Sequence, residues 1–364
     1  MKKIVLFAFL ILGLTGFAQE DSLLVKVAAD TLGKDMQEGG IAVEALELYN
    51  LALQKAEMQK PDSAIVYFTK AIELEPKFAK AYYNRSSAFL VLNNLSGALL
   101  DIDQYLALSD TASKGYYTRA AILDELGRQE DALSAYRIAA QKEDQADKAF
   151  LSVANIHLRN EAYLEAIDNF TAYLRYHPSD GMVLHDRGSA YQLLDDLKSA
   201  ERDYRQSAMV NPDLATAHAN LGSVLRKLER YHEAVDAYTD ALKIEPEDAM
   251  IVNNRGYAYF LAGDYEKAVA DFKKATTLSP DYAYAHNNLA SAYIKLEKYQ
   301  EAVDAAGQAI SIDPEYGFAY LNRGIAREMV RDIRGACSDW EKAASLQVKN
   351  ASDYQASICK YIEP

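Results

Sequence analysis

A period of 34 residues runs through this chain without insertion or deletion, and it limits the fold more than any other feature. Stepping by 34 from Ala64 lands on alanine every time, at Ala98, Ala132, Ala166, Ala200, Ala234, Ala268, Ala302 and Ala336. Twelve residues earlier the side chain is always small: Ala52, Ser86, Ala120, Ala154, Gly188, Gly222, Gly256, Ala290 and Gly324. Four residues later it is mostly bulky: Phe68, Ile102, Tyr136, Phe170, Tyr204, Tyr238, Phe272, then Ala306 and Trp340. Six units close on proline twelve residues after the alanine, at Pro76, Pro178, Pro212, Pro246, Pro280 and Pro314. Small and large residues at helical spacing let two helices pack closely, and proline ends the second helix. A repeat of this length predicts a stack of identical helix pairs, stabilised by contacts between neighbours.

The pattern resembles the tetratricopeptide repeat. The match is clearest over NLGSVLRKLERYHEAVDAYTDALKIEP, Asn220 to Pro246, and over NNRGYAYFLAGDYEKAVADFKKATTLSP, Asn253 to Pro280. The resemblance implies an all-α, right-handed superhelix of nine helix-turn-helix units, with the first helix of each unit lining a concave groove. Departures occur where Asp110, Asp144 and Val348 replace the closing proline, and where Tyr105 and Tyr173 replace a small residue late in the second helix. Looser or differently angled junctions are expected there.

The predicted organisation is residues 1–18 as a secretory signal, 19–44 as a capping segment, 45–350 as nine repeats and 351–364 as a C-terminal capping helix. Lys2 and Lys3 precede a short apolar run, and Gly16 and Ala18 precede a cut before Gln19. An uncleaved anchor is the alternative, although the run is short for a spanning helix of about 20 residues. The expected location is the periplasm or outer envelope of a Gram-negative cell, with membrane association only through partners. The formal charge of −14 opposes nonspecific nucleic-acid binding, which needs clustered Lys and Arg. Two cysteines, Cys337 and Cys359, either form a disulfide between neighbouring helices or remain small buried thiols.

No metal, cofactor or catalytic constellation is expected. The six histidines are scattered and do not fall at ligand spacing. Arg85, Arg187, Arg255 and Arg323 each have an aspartate sixteen residues later (Asp101, Asp203, Asp271, Asp339), and units lacking the arginine lack the aspartate. This co-variation predicts an ion pair inside each unit. Arg119 faces Ala135 instead and is expected to be free.

The groove candidates come from the first helix. Asn50, Asn84, Asn220, Asn254, Asn288 and Asn322 share one repeat position, with Thr118, Ser152 and Asp186 in the remaining units. Asparagine is a poor helix former, so six mid-helix copies need a reason. One reading is a ladder that grips the backbone of an extended peptide, as related tetratricopeptide superhelices do; the other is a bond to the neighbouring unit that sets the stacking. Tyr49, Tyr83 and Tyr117 precede the ladder, and Lys80, Lys114 and Lys148 lie three residues further back. If they face inward, they line the N-terminal groove; ordinary surface residues are the alternative. No adjacent units supply the basic set of a chaperone-type carboxylate clamp. The expected function is a non-enzymatic scaffold for a partner protein or peptide. The alternative is an assembly subunit of a cell-envelope or secretion complex, acting through its convex face and ends.

Overall fold

A computed structural model describes residues 41–109, 113–142 and 145–359. The signal, most of the N-terminal capping segment, and the junctions at Asp110 and Asp144 lie outside the described residues. The described chain is all-α, and its elements divide into two compact units, ending and starting at Asn160 and Glu161.

The first unit holds α1 (Val43–Glu57), α2 (Pro61–Leu74), α3 (Ala79–Val91), α4 (Leu95–Leu108), α5 (Ser113–Glu125), α6 (Gln129–Ala140) and α7 (Ala146–Arg159). The second holds α8 (Tyr163–Leu174), α9 (Gly181–Leu193), α10 (Leu197–Val210), α11 (Ala215–Lys227) and α12 (Tyr231–Ile244). It continues through α13 (Ala249–Ala262), α14 (Tyr265–Leu278), α15 (Ala283–Lys295), α16 (Tyr299–Ile312), α17 (Gly317–Met329), α18 (Ile333–Ser345) and α19 (Ala351–Ile358). Within each unit, consecutive helices pack on one another, most extensively inside a repeat.

The packing follows from the two positions sixteen residues apart. All nine reference alanines are fully buried, and Phe68, Phe170, Tyr238, Phe272 and Trp340 are at most 1% exposed. The bulky side chain of the second helix sits on the small residue of the first. A Cβ on Gly222 would lie 3.0 Å from the Tyr238 ring, and one on Gly188 would lie 3.1 Å from Tyr204. The junction at Tyr105 is the most sparsely packed between consecutive repeats among the described residues, although the ring itself is accommodated. Tyr105 is buried against Tyr83, and Gly115 leaves room for its ring, which a Cβ there would meet at 2.7 Å.

Each pair turns through one residue with positive φ: Gln59, Asn93, Gly127, Glu161, Asp195, Glu229, Gly263, Glu297 and Arg331. Spacing is again 34. The next N–H reaches back five residues to a helix carbonyl, as in Arg230 to Leu225 at 3.0 Å, and so caps the last turn.

The ion pairs form as the co-variation predicted. Arg255 donates Nε and one terminal nitrogen to both Asp271 oxygens at 2.8 Å. Arg85–Asp101, Arg187–Asp203 and Arg323–Asp339 share this geometry. Three of these arginines also donate to a threonine of the preceding repeat: Arg85 to Thr69, Arg187 to Thr171 and Arg255 to Thr239. The pair therefore joins helices within and between repeats. Arg119 is not free. It donates Nε to Asp103 at 2.6 Å, and Asp103 occupies the threonine's position in the preceding repeat.

At the C-terminal end Cys337 and Cys359 are bridged. The disulfide fastens α19 to α18, where Tyr354 stacks on the fully buried Trp340 with ring centroids 5.3 Å apart.

Candidate functional site

Most of the ladder asparagines sit half-buried in the first helix of each repeat, and their Nδ2 groups reach the repeat before. Asn84 donates to the Tyr49 hydroxyl at 2.7 Å, Asn288 to Asn253 Oδ1 at 3.0 Å and Asn322 to Asn287 Oδ1 at 2.8 Å. Asn220 Nδ2 lies 2.9 Å from His185 Nε2. The same 35-residue step joins Tyr117 and Ser152 at 3.4 Å. The residue just before the ladder is thus the partner of the next repeat's ladder residue. This is the stacking role left open by the sequence, and it takes up the donor side of most ladder amides. Asn50 is exposed, in the first repeat. Asn254 makes no side-chain hydrogen bond, because the residue 35 before it is Ala219.

The tyrosines that precede the ladder belong to the core. Tyr49 is 8% exposed and packs against Phe68 and Phe78; Tyr83 is 6% exposed and packs against Tyr105. Lys114 lies over the Tyr83 ring, 4.5 Å from its centroid. The faces of these two rings are therefore not open platforms. Tyr117 is half-buried and lines a cavity of about 160 Å³ with Leu90, Thr118, Ala121, Ile122 and Glu125. Lys80 is half-buried, while Lys114 and Lys148 are exposed.

The second unit carries the larger concavity, about 240 Å³, on repeats seven to nine. Tyr257, Phe260 and Phe318 give it aromatic faces, fully buried Phe272 backs it, and Asn287, Asn288, Ser291 and Asn322 bring amide and hydroxyl groups. No charged residue lines it.

A buried network fixes the orientation of its amides. Asn287 donates Nδ2 to the Tyr316 hydroxyl at 3.3 Å and accepts from Asn322 at Oδ1. One repeat earlier, Asn253 donates to Tyr282 at 3.4 Å and accepts from Asn288. Asn322 Nδ2 also donates to Ser291 Oγ at 2.9 Å, which occupies both its hydrogens. The Oδ1 atoms of Asn288 and Asn322 are left as acceptors. Beside them runs a chain of rings, Tyr282, Tyr284, Tyr316 and Phe318, with neighbouring centroids 6.2, 4.8 and 6.3 Å apart. Tyr284 and Phe318 are 51% and 55% exposed. Burial raises the Tyr316 pKa above the usual phenol range, so its hydroxyl stays protonated at neutral pH.

The site presents amide acceptors beside exposed aromatic faces. Among the described residues no group of His, Cys, Asp and Glu could hold a metal ion. No described helix is long and apolar enough to cross a membrane.

A family model described as the cilia and flagella-associated protein 70 C-terminal domain matches residues 95–315, more than half of the chain. A tetratricopeptide-repeat model matches residues 49–113. The chain belongs to the tetratricopeptide-repeat family. Human tetratricopeptide repeat protein 6 (Homo sapiens) is 29% identical to this repeat protein over 147 residues, 40% of this chain and 27% of its own length. Tetratricopeptide repeat protein 36 of Bos taurus is 36% identical over 27% of this chain and 53% of its own. The repeat protein thus spans about a quarter and about half of these two relatives. The C-terminal part of a repeat-containing protein from Cytophaga hutchinsonii superposes with a TM-score of 0.58 at 18% identity, covering 66% of this chain and 99% of that one, and shows the same fold. Tetratricopeptide-repeat proteins mediate protein–protein interactions, and the repeat fold is generally non-enzymatic.

Proposed function

We propose that this protein is a non-enzymatic scaffold that binds an extended segment of a partner protein in the groove of repeats seven to nine. The observation that carries this reading is the uncharged cavity, in a chain of which 25% of residues are charged. Extended peptides bind through main-chain hydrogen bonds for affinity and side-chain pockets for specificity. Here the Oδ1 atoms of Asn288 and Asn322 accept the main-chain N–H groups, and the space between Tyr257, Phe260 and Phe318 takes an apolar side chain. The acidity of the chain supports a partner that is not nucleic acid.

The protein acts outside the cytoplasm in this reading. The basic and apolar start of the sequence supports export, and the Cys337–Cys359 bridge suits an oxidising compartment. The periplasm or outer envelope is the proposed location. An assembly role through the outer face is favoured by one observation: Val66 and Leu100, equivalent residues of α2 and α4, are 51% and 73% exposed.

The test is a cross-linked pull-down from envelope extract. Asn288 and Asn322 also hold the stack, so their removal mixes folding with binding. Asn254→Ala combined with Phe318→Ala avoids this, since Asn254 bonds nothing and Phe318 is exposed. The variant is expected to melt with the natural chain and lose a specific partner. Retention of every partner by a folded variant overturns the groove reading.

A further inference from the structure

Arg226 of α11 is an exception among the arginines. Every other half-buried arginine among the described residues, from Arg85 to Arg327, holds a carboxylate. Arg226 holds none, and its buried Nε has no hydrogen-bond partner. Its guanidinium lies over the Tyr257 ring, 5.3 Å from the centroid. Tyr257 lines the cavity, and so does Phe260, which occupies Arg226's position one repeat later. Arg226 therefore stands against one wall residue of the cavity without itself lining it.

A buried hydroxyl lies beside Arg226. The Tyr238 hydroxyl is fully buried, and its polar neighbours are Arg226 and Ser223, the latter in the place of Ser189. Repeat five shows what the position otherwise requires. There the equivalent Tyr204 hydroxyl donates to Gln192 Oε1 at 3.0 Å and lies 2.9 Å from Ser189 Oγ. Arg226 stands where Gln192 stands, so repeat six replaces an acceptor with a cation. Tyr238 and Ser223 offer the guanidinium neutral oxygens only, so its charge has no anionic partner. A carboxylate from outside would supply that partner.

We propose that Arg226 is an acidic-residue subsite of this groove: the carboxylate of an Asp or Glu in the bound segment pairs with it, while an apolar side chain of the same segment fills the adjacent cavity. The proposal rests on the groove reading. Because the chain is net acidic, general attraction does not bring an acidic segment to it. The guanidinium instead acts as a local, geometrically selective contact, able to meet a carboxylate with two parallel hydrogen bonds.

The experiment is a random dodecapeptide phage library panned on the full natural chain, Arg226→Gln, Arg226→Glu and Phe318→Ala, with melting followed by circular dichroism. On the natural chain, retained peptides are expected to carry Asp or Glu at a fixed spacing from an apolar residue. Synthetic copies should bind Arg226→Gln about tenfold more weakly. Arg226→Gln should nonetheless melt no lower than the natural chain, because glutamine supplies the acceptor that Tyr204 uses in repeat five. Arg226→Glu should select Lys or Arg at the acidic position. Peptides that depend on Phe318 but show no acidic preference, or keep it on both Arg226 variants, overturn the subsite and leave the groove reading standing. Recovery of no peptide that depends on Phe318 overturns both.

Discussion

Asp271 is 6% exposed and receives two hydrogen bonds from Arg255, whose other terminal nitrogen reaches Thr239. Removing the carboxylate leaves a half-buried guanidinium without its counter-charge. Asp271→Ala should therefore cost about 3 kcal/mol, measured by urea unfolding. The Arg119–Asp103 pair is more exposed, at 30% and 47% of its side chains, so Asp103→Ala should cost under about 1 kcal/mol. The contrast separates the two kinds of pair. Co-variation at sixteen residues revealed the first kind because both partners recur in step. The second escaped because the acceptor moved to sixteen residues before the arginine, where threonine stands in three other repeats. The ladder shows the same limit: a repeated asparagine was visible, but whether its amide faces a ligand or a neighbour depends on the residue 35 before it. Arg226 gave no periodic signal, since it occurs once at its position.

At the scale of the element, nine turns use one left-handed residue each, and only Gly127 and Gly263 are glycines. Glu229 holds φ at 61°, a conformation that costs a side chain with a Cβ. Glu229→Gly should stabilise the chain by about 0.5–1 kcal/mol, since the relief exceeds the added chain entropy; a fall in melting temperature would contradict this. Two glycines in nine units were too few to reveal the turn from sequence, although the period and the helix-closing prolines were enough to place the pairs. The bridge that fastens α19 spans 22 residues. Reducing it should lower stability by about 3 kcal/mol on the loop-closure account. The emission of Trp340, the single tryptophan, should shift to the red as Tyr354 leaves it. An unchanged emission and melting point would show that the helix holds without the bridge.

The whole molecule buries phenols in both units. Tyr136 in the first, with Tyr204 and Tyr238 in the second, are at most 3% exposed, and burial raises the pKa of each. In the unfolded chain these groups ionise near pH 10, so above that pH the folded state binds more protons. The contribution of these tyrosines should be flat below pH 10, and stability should fall as pH rises beyond it, by up to about 1.4 kcal/mol per pH unit for each. Helicity and phenolate absorbance followed together should change in one transition. Phenolate forming well before helicity is lost would contradict the burial. In the proposed function, binding belongs to the groove of the second unit and not to the outer apolar residues of the first. Photo-cross-linking tests it most directly, with a photoreactive phenylalanine analogue placed at Phe318 in one sample and at Leu100 in another. A discrete partner adduct is expected from Phe318, weakened by Arg226→Glu, and none from Leu100. An adduct from Leu100 alone would contradict it.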